Sequence, residues 1–336
     1  MGAEDTPARK MPGDMPMLRC LALALCLAAM AAAAPAAEFQ ANRPVRIIVP
    51  VSPGGSADVM ARIMAQALTP MWGQQVVVEA RTGAGGHLAG ELVANSPGDG
   101  HTLLFGTIAI HAAYGMYAKL GYDPSKQLAP VLLLVEVPFV VITHPDRPWK
   151  TLSEFIAAAK ARPNGITFGS AGNGTSTHMA GELFMQLAGV RLQHIPYRGS
   201  SQAMNDLMAG TIDAMCENLP TVPPAARDNR IRALAVSSAE RVPQLPDVPT
   251  AEQAGVPGYV TSAFFTLAAP GSTPPALLEA LNKDTRAALA SPAVHQRLVD
   301  LGTTPRGLTV PEIRAYFARE TETWNKVIAA ANLRVE

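Results

Sequence analysis

Short, nearly unbroken apolar runs alternate along this chain with longer stretches in which apolar residues recur at helical spacing. Val45 to Val51 follows Arg43-Pro44 as a continuous apolar run, the pattern of a strand buried on both faces in a parallel sheet. It ends in Ser52-Pro53-Gly54-Gly55-Ser56, after which Val59, Met60, Ile63, Met64, Ala67 and Leu68 mark one face of a helix. A strand over Gln75 to Glu79, a glycine turn at Gly83 to Gly86, a helix over His87 to Asn95 and a strand over Thr102 to Thr107 complete a βαβαβ unit. Connections this short imply a parallel sheet covered by helices.

The pattern then restarts. Pro138 to His144 reads as a strand, and Thr151-Leu152-Ser153-Glu154 is a capping box opening a helix to about Arg162. Ile166 to Ser170 is a strand, Ala171 to Thr175 a glycine turn, and Thr177 to Ala188 a helix. Arg191 to Pro196, Ile212 to Glu217 and Ile231 to Ser237 add strands, and Arg241 to Gly258 is irregular. After a strand at Phe264 to Ala268 the chain is helical: Pro275 to Leu289, Pro292 to Leu301 and Val310 to about Ala330. These last helices have no sheet of their own and are expected to pack back on the first domain. The fold class is α/β with two domains, each a mostly parallel sheet flanked by helices. Domain 1 is discontinuous (38–138 and 262–336), and domain 2 (139–261) is inserted between two crossovers. The default ligand site of that architecture is the cleft between the sheets, at the carboxyl ends of strands.

Composition supports two buried cores: 336 residues, 48% hydrophobic and 16% charged. The formal net charge is zero and no basic run occurs, which argues against nucleic acid as a partner. At the N-terminus, Arg9, Lys10 and Arg19 precede the apolar run Leu21 to Ala34, which ends in Ala34-Pro35-Ala36-Ala37. This is the pattern of a signal peptide (1–37) cleaved near Ala36 or Ala37, and the run is short for a membrane span. Cys20 and Cys26 would leave with it, so Cys216 remains alone and no intrachain disulfide is expected.

Two glycine turns occupy equivalent places. Ser52, Gly54, Gly55 and Ser56 join a strand to a helix, and Ser170, Ala171, Gly172, Gly174 and Thr175 do the same in the second half. Glycine allows close approach and positive φ, and the free N–H groups of a helix's first turn, with its dipole, favour an anion. Two cradles facing one cleft could hold the two ends of a dicarboxylate, and Gly85 and Gly86 add further donors. Glycines before helices are also ordinary turns; the matched pair favours the ligand reading. His178, one turn into its helix, is either a ligand donor or a local cap. Tyr197-Arg198 could meet a carboxylate or lie on the surface. Asp58 either completes the first helical turn or contacts a ligand amine or hydroxyl. No P-loop, dinucleotide fingerprint, nucleophile elbow or zinc motif occurs, so neither an enzyme nor a cofactor or metal is expected.

From Arg43 to about Ala330 the chain resembles the substrate-binding receptors of tripartite tricarboxylate transporters, the Bug-type periplasmic proteins. The resemblance is carried by Pro44-Val45-Arg46-Ile47-Ile48-Val49-Pro50, Pro53-Gly54-Gly55-Ser56-Ala57-Asp58-Val59-Met60-Ala61-Arg62, Gly83-Ala84-Gly85-Gly86 and Pro97-Gly98-Asp99-Gly100-His101-Thr102-Leu103-Leu104. Gly169 to Thr175, Pro196-Tyr197-Arg198-Gly199 and Leu245-Pro246-Asp247-Val248-Pro249-Thr250 carry it further. It implies a Venus-flytrap fold closing on a small carboxylate, gripped by the loops at 52–58 and 170–175, with Thr107 facing the cleft. It also implies delivery to a membrane permease, by a receptor expected to be monomeric. The sequence departs from the family pattern at Val51-Ser52, where an aromatic-Ala pair is commoner, at Ala80 in place of Asn, and at Gly98-Asp99-Gly100-His101. A periplasmic sensor feeding a signalling receptor, and less so a hydrolase on the same cleft, are the alternative functions.

Overall fold

In this computed structural model the structure describes Gly2 and residues 38–335. The signal-peptide segment lies outside the described residues. Ten strands form one continuous sheet in the order β2-β1-β3-β9-β4-β7-β5-β6, with β8 and β10 also paired to β4. The strands are β1 (Val45–Val49), β2 (Val76–Ala80), β3 (Thr102–Gly106), β4 (Leu128–Thr143), β5 (Thr167–Ser170), β6 (Gln193–Pro196), β7 (Ala214–Asn218), β8 (Arg232–Val236), β9 (Ser262–Pro270) and β10 (Thr304–Pro305).

The runs read as parallel are parallel: β1 pairs with β2 and β3, and β5 with β6 and β7. Two long strands running against them make the sheet mixed. The first part of β4, Leu128 to Pro138, pairs antiparallel with β9, and its last part, Phe139 to Thr143, pairs antiparallel with β7 and β8. The sequence suggests only the second part of β4, because Pro130 and Pro138 interrupt its pattern. Pro138 stands at the change of partner, and Pro130 lies at a register shift, where a missing N–H costs the ladder least. β10, two residues long, has no alternating pattern from which to be read.

Eight helices of eight or more residues flank the sheet: α1 (Ser56–Trp72), α2 (His87–Ala94), α3 (Leu152–Ala161), α4 (Ser176–Ala188), α5 (Ser200–Met208), α6 (Pro275–Ala290), α7 (Pro292–Asp300) and α8 (Val310–Ala330). α1 buries Met60, Ile63, Met64 and Leu68 and stops at Gly73, whose φ of 63° suits the left-handed helix end. The capping box at α3 is present, with Glu154 N–H donating to Thr151 Oγ1 at 3.2 Å and Thr151 N–H to Glu154 Oε2 at 3.3 Å. α6 packs on β4 and α1, and α7 on α6 and α1. α8 packs on β4 but also touches α4, tying the C-terminal helix to both halves of the chain. α5 lies where the sequence pattern predicts no element; its buried face is Ala203, Met204 and Leu207. Cys216 is buried and free, and burial pushes its thiol up to about 12. Among the described residues no helix is long and apolar enough to cross a membrane.

Candidate functional site

Three helices begin at one place. α1 opens after Gly55, α4 after Thr175 and α5 after Gly199, and none of these capping positions spends a side chain on the helix end. The first bonds of the ladders run from Val59 N–H to Gly55 O (3.1 Å) and from Met179 N–H to Thr175 O (2.9 Å). The N–H groups of Ser56, Ala57, Ser176 and Thr177 therefore precede the ladders and have no acceptor among the described residues. Ser56, Ala57, Thr175, Ser176, Thr177 and Ser200 line a chamber of about 20 Å³, closed by Val51, Gly85, Thr107, Ala171, Asn218 and Phe265. Aligned helix ends give this chamber positive potential with no cationic side chain in its wall.

Two buried polar atoms in that wall, Ser56 Oγ and Asn218 Oδ1, have no hydrogen-bond partner among the described residues. Leaving such groups unpaired costs on the order of 1–3 kcal/mol each. Buried polar groups in native folds are ordinarily satisfied by protein, water or a ligand.

Beside the chamber lies a cavity of about 480 Å³ that shares Val51, Gly85, Ala171 and Thr175 with it. Its other walls are mainly apolar and aromatic, with Pro50, Leu88, Tyr117, Pro196, Tyr197 and Val335, and Arg198 is its one cationic residue. Burial raises the Tyr117 phenol to about 12, and burial with the Asp206 hydrogen bond does the same for Tyr197. Both hydroxyls stay protonated and already donate, Tyr117 to Asn173 O and Tyr197 to Asp206 Oδ2. Three hydrogen bonds join the first half of the chain to the second around this space: Ser52 Oγ to Arg198 O (3.0 Å), Ser201 Oγ to Pro53 O (3.1 Å) and Tyr117 OH to Asn173 O (2.7 Å).

The residues singled out from the sequence divide into three groups. Ser56, Gly85, Thr107, Ala171 and Thr175 line the chamber, and Gly86, Gly172, Tyr197 and Arg198 line the larger cavity. Other positions build the loops. The Gly54 N–H, at φ 86°, donates to Asp58 Oδ2 (3.1 Å), which also accepts from Arg62 Nε (3.0 Å), so Asp58 is turned onto its own helix. Ser170 Oγ accepts from Gly172 N–H (3.1 Å) and lies 2.7 Å from His194 Nε2, holding the second loop from beneath. His178 Nδ1 accepts from Gly174 N–H (3.1 Å), its Nε2 lies 3.3 Å from Glu182 Oε1, and its ring stacks on His194 at 4.0 Å. Asp58, Ser170, Gly174 and His178 line neither space. Ser52 likewise acts through its bond to the Arg198 carbonyl.

Gly55 has φ −82°, so backbone freedom is not its reason; a Cβ there would stand 3.2 Å from Ser200 Oγ, and glycine permits that approach. Ser176, Thr177, Ser200 and Asn218 were missed from the sequence. Glu217-Asn218, two polar residues closing an otherwise apolar strand, and Ser200-Ser201 after Gly199 were the available signals. No group of three His, Cys, Asp or Glu among the described residues could hold a metal.

Residues 60–333 match the profile of the tripartite tricarboxylate transporter family receptor. BugT of Bordetella pertussis (strain Tohama I) is 36% identical over 96% of this chain and 100% of its own length. Two solved structures from Rhodopseudomonas palustris superpose closely. Rpa4515 with adipate gives a TM-score of 0.84 at 34% identity, over 87% of this chain and 98% of that one. MatC with bound malate gives 0.81 at 33% identity, over 85% and 99%. These are periplasmic binding proteins of the two-domain α/β fold, and receptors rather than enzymes; by sequence and by fold, this chain belongs to the tripartite tricarboxylate transporter receptor family.

Proposed function

We propose that this protein is an extracytoplasmic receptor that closes on a small carboxylate and delivers it to the membrane permease of a tripartite tricarboxylate-type transporter. The observation that carries the reading is the convergence of three uncapped helix starts on a chamber holding the unpartnered Ser56 Oγ and Asn218 Oδ1. A carboxylate supplies acceptors for the free N–H groups and for the Ser56 hydroxyl, and the Asn218 amide NH₂ can turn toward it. The rest of the ligand extends into the larger cavity, where Arg198 and the Gly83 to Gly85 amides can meet a second polar end. The relatives with adipate and malate support the same ligand class.

The chamber, at about 20 Å³, has room for little more than one water, so entry requires the two halves to part. Residues 38–138 with 262–336 form one lobe and 139–261 the other; they hinge where β4 changes partners near Pro138 and where the chain returns into β9 at Ser262. The three hydrogen bonds that join the halves around the cavity then belong to the closed state. The ligand-contacting set is Ser56, Gly85, Thr107, Ala171, Thr175, Ser176, Thr177, Ser200 and Asn218, with Tyr197 and Arg198 at the outer end. The mature chain is a monomer, exported to the periplasm after cleavage near Ala36 or Ala37.

A thermal-shift screen of the mature protein against organic acids, with adipate and malate among them, tests the reading. A ligand that binds only the folded state raises the midpoint with concentration. A midpoint raised by amines or neutral sugars and by no carboxylate would overturn it.

A further inference from the structure

Glu217, the residue before Asn218 on β7, is fully buried, yet no cation pairs with it among the described residues. Its Oε1 accepts from Thr221 Oγ1 at 3.1 Å, and its Oε2 has no partner. The Ser200 hydroxyl lies near enough to act on the carboxyl, though no hydrogen bond of ordinary length joins them. Ser200 lines the ligand chamber, and also, with Glu217, a separate cavity of about 430 Å³ behind the first glycine loop. Glu217 thus stands one hydroxyl away from the place proposed for the ligand's negative charge.

The surroundings offer no compensation. Val140 opposes Glu217 across β4, and Met204 of α5 and Val59 of α1 line the cavity behind it. The charged groups there, Asp228 and Arg230, belong to exposed positions on the far wall. Asp206 of α5 is bound by Tyr197, and Asp58 of α1 is bound by Arg62. On β7 itself the neighbouring Cys216 is a neutral thiol beside Tyr259.

We propose that Glu217 couples anion capture to a proton: the ligand's carboxylate enters the chamber as Glu217 takes up a proton. The inference rests on the carboxylate reading above. A buried carboxylate beside a second anion is disfavoured by both desolvation and repulsion. Protonation removes both costs and does more. With a small side-chain shift a protonated Glu217 donates to Ser200 Oγ, which frees the Ser200 hydrogen to donate to the ligand. Burial already pushes the carboxyl up to about 7, so the exchange falls in the physiological range. At most one proton passes from solvent to Glu217 for each anion bound, less by the fraction already protonated in the free protein, and no bond between heavy atoms changes.

Calorimetry of adipate, malate and benzoate binding to the mature protein, in phosphate and in Tris, counts protons taken up. Between about pH 6.5 and 8.5 the wild type should take up a fraction of a proton that grows with pH, and affinity should fall by up to about tenfold per pH unit. Glu217→Gln, which keeps the shape and donates permanently, should bind with no proton uptake and a flat pH profile. Binding by the wild type with no buffer dependence and no pH slope overturns the coupling while leaving the carboxylate reading intact. A slope that persists in Glu217→Gln overturns it as well. If none of the three acids binds at any pH, the carboxylate reading fails and the coupling falls with it. The two-buffer measurement on the wild type decides the matter even if the variant does not fold.

Discussion

Ser56 and Asn218 separate the needs of stability from those of binding. Each buries a polar atom without a partner, so Ser56→Ala should leave the ligand-free protein as stable or slightly more stable. The same change should weaken carboxylate binding by about 1–3 kcal/mol, because an acceptor loses its donor. Paired urea titration and calorimetry check both signs. Ser170→Ala is the contrast: its hydroxyl holds Gly172 N–H and meets His194, so the loss should appear chiefly as stability, again about 1–3 kcal/mol. Titration distinguishes other residues by sign. Burial lowers His87 to about 4 and His111 and His194 to about 3, below the ordinary 6.5. The unfolded chain therefore takes up these protons first, and the stability that the neutral rings confer is complete above about pH 6.5 and lost as pH falls toward 4 and 3. Glu217 runs the other way. Its raised value means the folded state holds a proton that the unfolded chain releases, so its contribution declines as pH rises from about 4.5 to about 7. With three histidines against one glutamate, the unfolding midpoint should drop on acidification from pH 6.5 to 4, and His111→Leu should make that slope shallower.

At the scale of elements, the glycine turns do two separate jobs. Gly54, Gly172 and Gly174 hold positive φ, which lets the loops fold back on Asp58, Ser170 and His178. Gly85 also has positive φ, but a Cβ there would fall on the Tyr117 hydroxyl and the Asn173 carbonyl, the pair that bridges the two halves. Gly85→Val should therefore hinder closure more than folding, with weaker binding and a larger radius of gyration at saturating ligand by small-angle scattering. The turns were legible because a strand, a glycine run and an apolar helical face follow one another in sequence. Which polar atoms face the chamber was not legible. Ser56, Ser170 and Asp58 are all polar and lie close to one loop or the other, yet backbone geometry turns one into the chamber and two away. α5 and Asn218 went unread for a related reason: a nine-residue helix and a single strand-end amide acquire meaning only when tertiary packing brings them against the first loop.

For the whole molecule, β4 and β9 set what moves in the closure proposed above. They carry the chain between the halves, and elsewhere the halves meet through α8 against α4, through Gln244 Nε2 donating to Val299 O (3.0 Å) and Asp300 O (3.3 Å), and through loops joined by three hydrogen bonds around the cavity. The α/β alternation of each half, the return of the last helices to the first sheet and the family were all readable from pattern and motifs. The antiparallel course of β4 was not, because two prolines hide it. The central claim is that helix starts and small polar groups, not an arginine, hold the carboxylate. A crystal structure of the mature protein with a carboxylate from the thermal-shift screen tests this most directly. The account predicts carboxylate oxygens within hydrogen-bond distance of the Ser56, Ser176 or Thr177 N–H groups and of Asn218, with Arg198 at most at the far end. A carboxylate paired to Arg198 in the outer cavity, with the chamber lined as before and untouched by ligand, would contradict it.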